Sequence, residues 1–479
     1  MVFSDPVFLF AFFPACLLAY WLGGWRIRNL FVALVGAVFY MWGGGAFIVL
    51  LLASICVNHF ASVKIDAWRI SEPNKARWLK RSVLSADLAA LALWKYGGFA
   101  VNQFSSGLNE LGIDADFELS LALPIAISFF TFQSMSYVID ISRGDAKPAP
   151  RLLDYAAYIL LFPHLIAGPI VRYAHIEPDL LQTPRHRLDD FVAGAPRFFW
   201  GLGKKILIAD QVAAIANHAF ALPDNRMTWA VAWIGAISYA IQIYFDFSGY
   251  SDMAIGLARM FGFDFPENFD HPYSAVSITD FWRRWHISLS SWFRDYLYIP
   301  LGGNRKGPNR TYINLACVFL LTGLWHGASW TFIAWGVFHG SFLIIERLTG
   351  INDLQAKKLV PLRRAITFAV VCIGWTLFRA VDINQGFTFI KSMLWPAGLG
   401  WPSTLSEIMT DQRLVWLAVG LLVVCLPAKI HVGRDISREQ GRTASIVRLA
   451  AIALVGPIAT MYALSSTFSP FLYFLFCIF

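Results

Sequence analysis

The segment LLTGLWHGASWTFIAWGVFHG, residues 320–340, decides the fold because it sets one histidine between two apolar runs of helical length. The two runs predict a helical hairpin, whose feet carry Arg310 and Arg347. Arginines close to the ends of apolar spans mark the cytoplasmic side of a membrane protein, so both feet are predicted to be cytoplasmic. At ~1.5 Å per residue, His326 is then expected ~22 Å into the bilayer, past its midplane.

A histidine at membrane depth is costly, and such residues mark working sites or transport pathways by default. A neutral imidazole nitrogen in that position could accept a proton from a substrate. Gly323 and Gly327 flank His326 and leave room for a substrate or for another helix. The alternative is a core histidine that is hydrogen-bonded across the hairpin. The expected depth favours a catalytic role for His326.

Composition extends this interpretation to the whole chain. Of 479 residues, 57% are hydrophobic and 15% are charged, and the mean hydropathy is +0.54, which is too apolar for a soluble globular protein. We predict an all-α, polytopic integral membrane protein with about eleven transmembrane helices, a re-entrant segment over 155–170 and an interfacial helix over 384–395. No polar linker divides the chain, so residues 1–479 are expected to form one membrane domain, with a catalytic core over about 120–349.

The positive charge of the chain does not indicate a nucleic-acid-binding protein. The formal net charge is +8, but the basic residues lie in short loops, and no soluble domain is visible that could carry a basic patch. The most basic loop contains six basic residues: Lys64, Arg69, Lys75, Arg77, Lys80 and Arg81. The next loop has four acidic residues and no basic one: Glu110, Asp114, Asp116 and Glu118. This asymmetry predicts a multi-pass protein, surrounded by membrane lipids, with its N-terminus on the outer side.

Several kinds of site are not predicted. The sequence has no H-E-x-x-H, P-loop or G-x-S-x-G motif, and no ligand cluster at zinc spacing, so no metal is expected. All six cysteines lie in apolar segments without paired spacing: Cys16, Cys56, Cys317, Cys372, Cys425 and Cys477. They are predicted to be small buried hydrophobic residues rather than disulfides or metal ligands.

Residues 279–296 predict a helix with a cationic, hydroxylated stripe. Four polar residues share one face at spacings of three, four and four: Arg283, His286, Ser290 and Arg294. Such a stripe could hold phosphate groups, which arginine commonly binds. An interfacial helix with arginines that reach towards water is the alternative for Arg283, Arg284 and Arg294. His286 lies deeper in the pattern and is the better functional candidate.

Two carboxylates, Asp246 and Asp252, bracket a glycine-serine turn at the end of a long apolar span. They could be a general acid and base. A structural charge network is favoured instead, with Arg259, Arg283 and Arg284 as the expected ion partners.

Three segments together resemble the membrane-bound O-acyltransferase family, and within it the bacterial alginate O-acetylase branch. They are YFDFSGYSDMAIGLARMFGF (244–263), FWRRWHISLS (281–290) and Trp325-His326-Gly327. The resemblance covers nearly the whole chain, and the combination is specific, whereas a lone W-H-G would not be. It implies O-acyl transfer with an essential deep histidine, here His326. It also implies that His286 occupies the family's second polar position.

The resemblance further implies a multi-pass protein of the bacterial inner membrane with its N-terminus in the periplasm. The implied donor is acetyl-CoA from the cytoplasm. The implied acceptor is an exported polysaccharide, either alginate or a similar exopolysaccharide, or a periplasmic acetyltransferase partner. We expect a central tunnel open to both sides of the membrane. CoA phosphates would dock near Arg283, Arg284, Ser290 and Arg294, and the acetyl group would reach His326.

Three other functions remain open at this point. One is transfer of D-alanine or another acyl group from a carrier-protein thioester, which a wider pocket beside His326 would favour. Another is a transporter without chemistry, which predicts that loss of His326 impairs export but not polymer acetylation. The last is a non-enzymatic scaffold of an export complex, which predicts that activity follows partner binding alone.

Overall fold

The computed structural model describes residues 2–23, 27–114, 116–182, 187–351, 357–396, 398–427, 430, 432–438, 442–465 and 471–472. Over these residues the secondary structure is helical throughout, without a strand, as predicted. Five of the six cysteines are free within these ranges, and Cys477 lies outside the described residues. Cys16 and Cys372 are buried, as predicted, whereas Cys56 and Cys425 are exposed, so the prediction of burial is wrong for these two.

The α-helices of the described ranges follow one another along the chain. They are α1 (Phe13–Leu22), α2 (Arg28–Gly44), α3 (Ile48–Ser71), α4 (Pro73–Glu110), α5 (Ile127–Arg143), α6 (Leu152–Ile159), α7 (Phe162–Leu165), α8 (Tyr173–Leu181), α9 (Arg187–Gly203), α10 (Asp210–Ala221), α11 (Trp229–Met260), α12 (Ile278–Arg284), α13 (Ile287–Phe293), α14 (Pro308–His326), α15 (Trp330–Thr349), α16 (Val360–Arg379), α17 (Ile383–Leu394), α18 (Ser403–Ile408), α19 (Asp411–Val424), α20 (Val432–Arg438), α21 (Arg442–Ala450) and α22 (Gly456–Ser465).

Four helical stretches among the described residues are long and apolar enough to cross a membrane. They are Arg28–Ser71, Trp229–Met260, Val360–Arg379 and Ser445–Ser465. The protein is therefore a helical membrane protein. The number of about eleven transmembrane helices stays a prediction, as does the single domain over 1–479.

The described residues pack as two compact units, of which the first comprises residues 2–192 and 257–266. It contains the segment predicted to be re-entrant. There α6 ends at Ile159, and α7 is a helix of only four residues. Every residue from Ala157 to Val171 is buried, so protein covers the non-helical backbone, as a membrane environment requires.

The second unit comprises residues 193–256 and 267–472 and contains the predicted hairpin, α14–α15. Two glycines allow the two helices to pack closely. A Cβ atom on Gly336 would lie 2.5 Å from the Phe319 carbonyl oxygen, and one on Gly323 would collide with the Phe332 carbonyl oxygen. The room left by Gly323 is thus occupied by the other helix of the hairpin rather than by open space.

The predicted interfacial stretch forms α17 in the same unit. Phe389 and Met393 are buried, whereas Phe387 and Leu394 are exposed. This division gives the helix one face for the protein and one apolar face for its surroundings. Its position at a membrane surface stays a prediction.

Candidate active site

His326 is the last residue of α14, at the tip of the hairpin. The chain continues through Gly327 in an extended conformation, and the Ser329 side chain caps α15 by accepting a hydrogen bond from the Thr331 amide. This cap and the break at Gly327 end one helix and start the next within four residues. The local sequence therefore places the histidine at a helix end, where its side chain is held by neighbours rather than by a continuing helix.

Aromatic side chains surround the His326 ring. Its centroid lies 5.0 Å from Trp325, 5.1 Å from Trp335 and 5.0 Å from Phe378, which α16 supplies. His326 is 8% exposed. Rings in edge-to-face contact restrict the orientation of the imidazole. A catalytic group needs such a restriction if it is to meet its substrate in one geometry. The sequence analysis did not identify Phe378, because nothing local connects α16 to this hairpin.

The single helix predicted over 279–296 is wrong. Two helices of seven residues each, α12 and α13, are separated at Trp285–His286, where His286 adopts a left-handed backbone conformation with φ of 45°. The predicted stripe of four polar residues is therefore broken. A left-handed conformation is unfavourable for a residue other than glycine, so contacts from elsewhere must hold it.

Asn268 provides those contacts. Its backbone carbonyl accepts a hydrogen bond from the Ile287 amide at 2.9 Å, and its side-chain oxygen accepts one from the Ser288 amide at 3.2 Å. The same oxygen lies 3.2 Å from His286 Nδ1. Asn268 thus holds the turn that positions His286. The sequence analysis did not identify Asn268. Its one signal was its place in the PENFDHPYS segment that lies between two candidate elements.

His286 is buried, with 1% of its surface exposed, and its ring packs edge-to-face on Phe247 at 4.7 Å. The turn that carries it lies between two helices too short to span a bilayer. Burial lowers the pKa of His286 to about 3, so the imidazole is neutral at physiological pH. Trp325 contacts both predicted histidines, at 6.3 Å from His286 and 5.0 Å from His326. The fold therefore brings the two histidines to one indole ring, although they are far apart in sequence.

Three of the four predicted donor-binding residues line one cavity of about 280 Å³: Arg283, Ser290 and Arg294. Its opposite wall comes from α14 and is largely apolar. The fourth, Arg284, is not among the lining residues. It pairs with Asp280 at 2.8 Å and also donates to the Asp270 carbonyl. The two adjacent arginines therefore differ in their surroundings, since Arg283 lines the cavity and Arg284 pairs with Asp280. The spacing in the sequence did not predict this difference.

The cavity extends towards the hairpin tip but does not include either histidine. It reaches Thr322, about one helical turn before His326. Trp282 packs on Phe319 and on Trp335, each at 5.4 Å, and Trp335 contacts the His326 ring. Aromatic side chains thus lie between the end of the cavity and His326. A continuous central tunnel stays a prediction.

Glu346 of α15 anchors the start of α12, and the sequence analysis did not identify it. Its carboxylate accepts hydrogen bonds from the Ile278 amide at 2.5 Å, the Thr279 amide at 2.9 Å and the Thr279 hydroxyl at 2.7 Å. It therefore satisfies free amides of the first turn of α12, in addition to the N-cap residue Ser277, whose hydroxyl accepts a hydrogen bond from the Asp280 amide. A lone glutamate near the end of an apolar span was the only signal in the sequence.

Replacing Glu346 with alanine is expected to reduce the free energy of unfolding by about 2–4 kcal/mol, because the buried Ile278 amide and the half-buried Thr279 amide would lose their acceptor. The comparison is chemical unfolding in detergent of the wild type and the variant. Glu407→Ala is a matched control, since that side chain is exposed on α18. Equal stability of the two variants would contradict the anchoring role.

Asp246 and Asp252 form a buried charge network, but not with the predicted arginines. Asp252 pairs with Arg197 at 2.7 Å and with Lys204 at 2.6 Å. Asp246 pairs with Lys205 at 2.7 Å. In contrast, the predicted partner Arg259 pairs with Asp190 at 3.0 Å, Arg284 pairs with Asp280, and Arg283 lines the cavity. Each carboxylate has a close cationic partner, which supports a structural role over acid-base chemistry.

Within the described ranges, no group of three or more histidine, cysteine, aspartate or glutamate side chains is arranged to hold a metal ion. The polar side chains of the site are instead two histidines, two arginines that line a cavity, and serine and threonine hydroxyls. This set can bind anionic groups, exchange protons and orient a hydroxyl.

Comparisons with known proteins show the family to which the chain is similar. The sequence model of the membrane-bound O-acyltransferase family matches residues 142–352. The chain is 42% identical to the probable alginate O-acetylase of Pseudomonas putida, over 99% of this chain and 100% of that protein. It is 46% identical to the probable alginate O-acetylase of Pseudomonas aeruginosa, over 88% of this chain and 80% of that protein. It is also 36% identical to the peptidoglycan O-acetyltransferase of Helicobacter pylori, over 82% of this chain and 80% of that protein.

Proposed function

Because this chain belongs to the membrane-bound O-acyltransferase family and is a membrane O-acyltransferase, we propose that it transfers acetyl groups from cytoplasmic acetyl-CoA to an exported polysaccharide. The acceptor is a hydroxyl of alginate or of a similar exopolysaccharide, reached directly or through a periplasmic acetyltransferase partner. The observation that carries this proposal is the likeness to alginate O-acetylases over nearly the whole chain, together with two buried histidines on one tryptophan.

The proposed reaction needs neither ATP nor a metal, because a thioester is already activated. The acceptor hydroxyl oxygen bonds to the acetyl carbonyl carbon, and the carbon–sulfur bond breaks. His326 removes the hydroxyl proton and returns it to the CoA thiolate. His286 assists by orienting the reacting groups. A histidine general base contributes ~10²–10⁴-fold, and the aromatic cage around His326 adds positioning.

The cavity lined by Arg283 and Arg294 is the proposed docking site for the CoA phosphates. Both side chains are on the exposed side of α12 and α13, where a charged nucleotide can reach them from the cytoplasm. The apolar wall from α14 would accompany the pantetheine arm towards Thr322. Trp282 and Trp335 form the inner end of this route, so the acetyl group passes them to reach His326.

Replacing Arg283 or Arg294 with alanine is expected to raise the KM for acetyl-CoA about tenfold, since each loses a charged hydrogen bond to phosphate. The kcat should change less, because these contacts form equally in the ground and transition states. The measurement is CoA release by the purified protein in the presence of acceptor.

Arg284→Ala is the matched control for this prediction. It removes the same side chain from the adjacent position, but Arg284 pairs with Asp280 and does not line the cavity. A raised KM in Arg284→Ala alone would place the donor elsewhere. Acetyl-3′-dephospho-CoA as donor provides a second test. If Arg283 or Arg294 contacts the 3′-phosphate, the alanine variant of that residue should have the same KM as the wild type for this donor.

The acceptor and the orientation are tested separately. Exported polymer from cells with and without the protein is compared for ester-linked acetate, and peptidoglycan from the same cells is analysed in parallel. Acetate lost from peptidoglycan alone would overturn the exopolysaccharide assignment.

We place the protein in the inner membrane with about eleven spans and a periplasmic N-terminus. An N-terminal alkaline phosphatase fusion should therefore be active.

A further inference from the structure

The side chain of Asn268 makes contacts that assign the protonation of His286. Asn268 is fully buried, and its Nδ2 atom donates a hydrogen bond to the Ser251 hydroxyl at 3.2 Å. Its Oδ1 atom lies 2.8 Å from the Ser288 hydroxyl and 3.2 Å from both the Ser288 amide nitrogen and His286 Nδ1. One amide oxygen is thus surrounded by three groups from the turn between α12 and α13.

The orientation of the Asn268 amide follows from the Ser288 backbone. An amide side chain can be turned by 180°, so its oxygen and nitrogen must be assigned from their partners. The backbone N–H of Ser288 can only donate, so the atom facing it must be the oxygen of Asn268. In the opposite orientation the Asn268 NH₂ group would face this N–H, and two donors would meet in a buried site.

The position of the proton on His286 follows in the same way. The Ser288 hydroxyl has one proton, which it donates to Asn268 Oδ1 at 2.8 Å. The hydroxyl also lies 3.4 Å from His286 Nδ1, where only its lone pairs remain available. Nδ1 therefore faces acceptors from both Asn268 and Ser288. A neutral imidazole satisfies them only with its proton on Nδ1, which leaves the lone pair on Nε2.

We propose that Asn268 is a positioning residue that holds His286 as the Nδ1–H tautomer, so that Nε2 accepts a hydrogen bond from the acceptor hydroxyl during acyl transfer. This inference rests on the proposed function and narrows the role of His286. A neutral ring with a lone pair on Nε2 orients a group that carries a proton. It does not donate a hydrogen bond to the negative oxygen that develops on the acetyl group.

Nitrogen-15 NMR tests the tautomer without any substrate. The full-length protein, labelled with [15N]histidine and reconstituted in lipid, gives separate signals for protonated and unprotonated ring nitrogens. The His286 signals are assigned by their loss in His286→Gln. In the wild type we expect a protonated Nδ1 and an unprotonated Nε2. In Asn268→Ala we expect the two tautomers to exchange. A proton on Nε2 in the wild type, or unchanged signals in Asn268→Ala, would overturn the inference.

Variants of Asn268 separate positioning from support of the turn. Asn268→Asp keeps an oxygen acceptor for both Ser288 and His286 and adds a negative charge beside the ring. We expect it to restore part of the activity lost in Asn268→Ala and to move the acid limb of the pH–rate profile to higher pH. Asn268→Ala should lower kcat ~10–100-fold with little change in the KM for acetyl-CoA, the range found for outer partners of functional histidines.

Ser251→Ala is the matched control because it removes the partner of Asn268 Nδ2 and leaves every contact of Oδ1 in place. It should keep the wild-type His286 signals and the wild-type pH–rate profile. If Asn268→Ala is folded and has the wild-type kcat and pH profile, the inference is overturned and the proposed function stands. If His286→Gln transfers acetyl groups at the wild-type rate, the proposed role of His286 fails, whatever its tautomer.

Discussion

Replacing His326 with alanine is expected to abolish polymer acetylation, lowering the rate of acetyl transfer at least ~10²-fold. The ring is held among Trp325, Trp335 and Phe378, so it is fixed in one orientation at the hairpin tip. No neighbouring side chain can replace it as the general base, since Trp325 and Trp335 have no basic nitrogen. The measurements are ester-linked acetate on the exported polymer and CoA release by the purified protein.

The loss must be distinguished from misfolding, because alanine leaves a cavity among large aromatic rings. His326→Gln keeps a polar side chain of similar length and removes the basic nitrogen, and it should be as inactive as His326→Ala. His175→Ala is the control, since that histidine is exposed on α8. Unaltered acetate on the polymer, with both His326 variants present in the membrane at wild-type amount, would refute a catalytic His326.

Replacing Arg197 with alanine is expected to have the largest effect on stability, a loss of about 3–5 kcal/mol in the free energy of unfolding. Its guanidinium is 2% exposed and lies between the carboxylates of Asp252 and Glu267, at 2.7 Å and 2.6 Å. Lys204 would remain beside Asp252, but the two hydrogen bonds to Asp252 Oδ1 and the bidentate contact to Glu267 would be lost. Chemical unfolding in detergent micelles measures the effect.

Arg259→Ala is the matched control for this experiment. Arg259 also makes an ion pair, with Asp190 at 3.0 Å, but its side chain is 40% exposed. Solvent screens such a pair, so its loss should change the free energy of unfolding by at most about 1 kcal/mol. Equal destabilisation by the two substitutions would show that burial does not govern these ion pairs.

The hairpin and its histidine were predictable because their signals are local. Two apolar runs of helical length predict two helices, and the Gly-Ala-Ser sequence after His326 predicts the break between them. The structure has α14 ending at His326 and α15 beginning at Trp330. The family was recognisable for the same reason, since its motifs are contiguous in the sequence.

The partners of the charged residues were not predictable from spacing. For Asp246 and Asp252 the candidates were arginines that lie within about forty residues after them, whereas the structure pairs them with Lys205 and Arg197 from the helical segment before them. An ion pair depends on distances of a few ångströms in three dimensions. Sequence proximity does not give those distances, because Arg197 lies in the 17-residue helix α9 and Asp252 in the 32-residue helix α11.

The sequence by itself determined the chemical class of the protein: a helical membrane protein of the O-acyltransferase family with a histidine at the turn of an apolar hairpin. Composition and periodicity suffice for the helical membrane class and the hairpin, because the cost of polar groups in hydrocarbon restricts where they can occur. The family came from the resemblance of its contiguous motifs. Only the tertiary structure decided how the site is assembled. It broke the predicted helix at His286, because Asn268 holds a backbone conformation that no local pattern favours. It also placed Trp325 against both histidines, a contact made by packing between elements that are separate in the sequence.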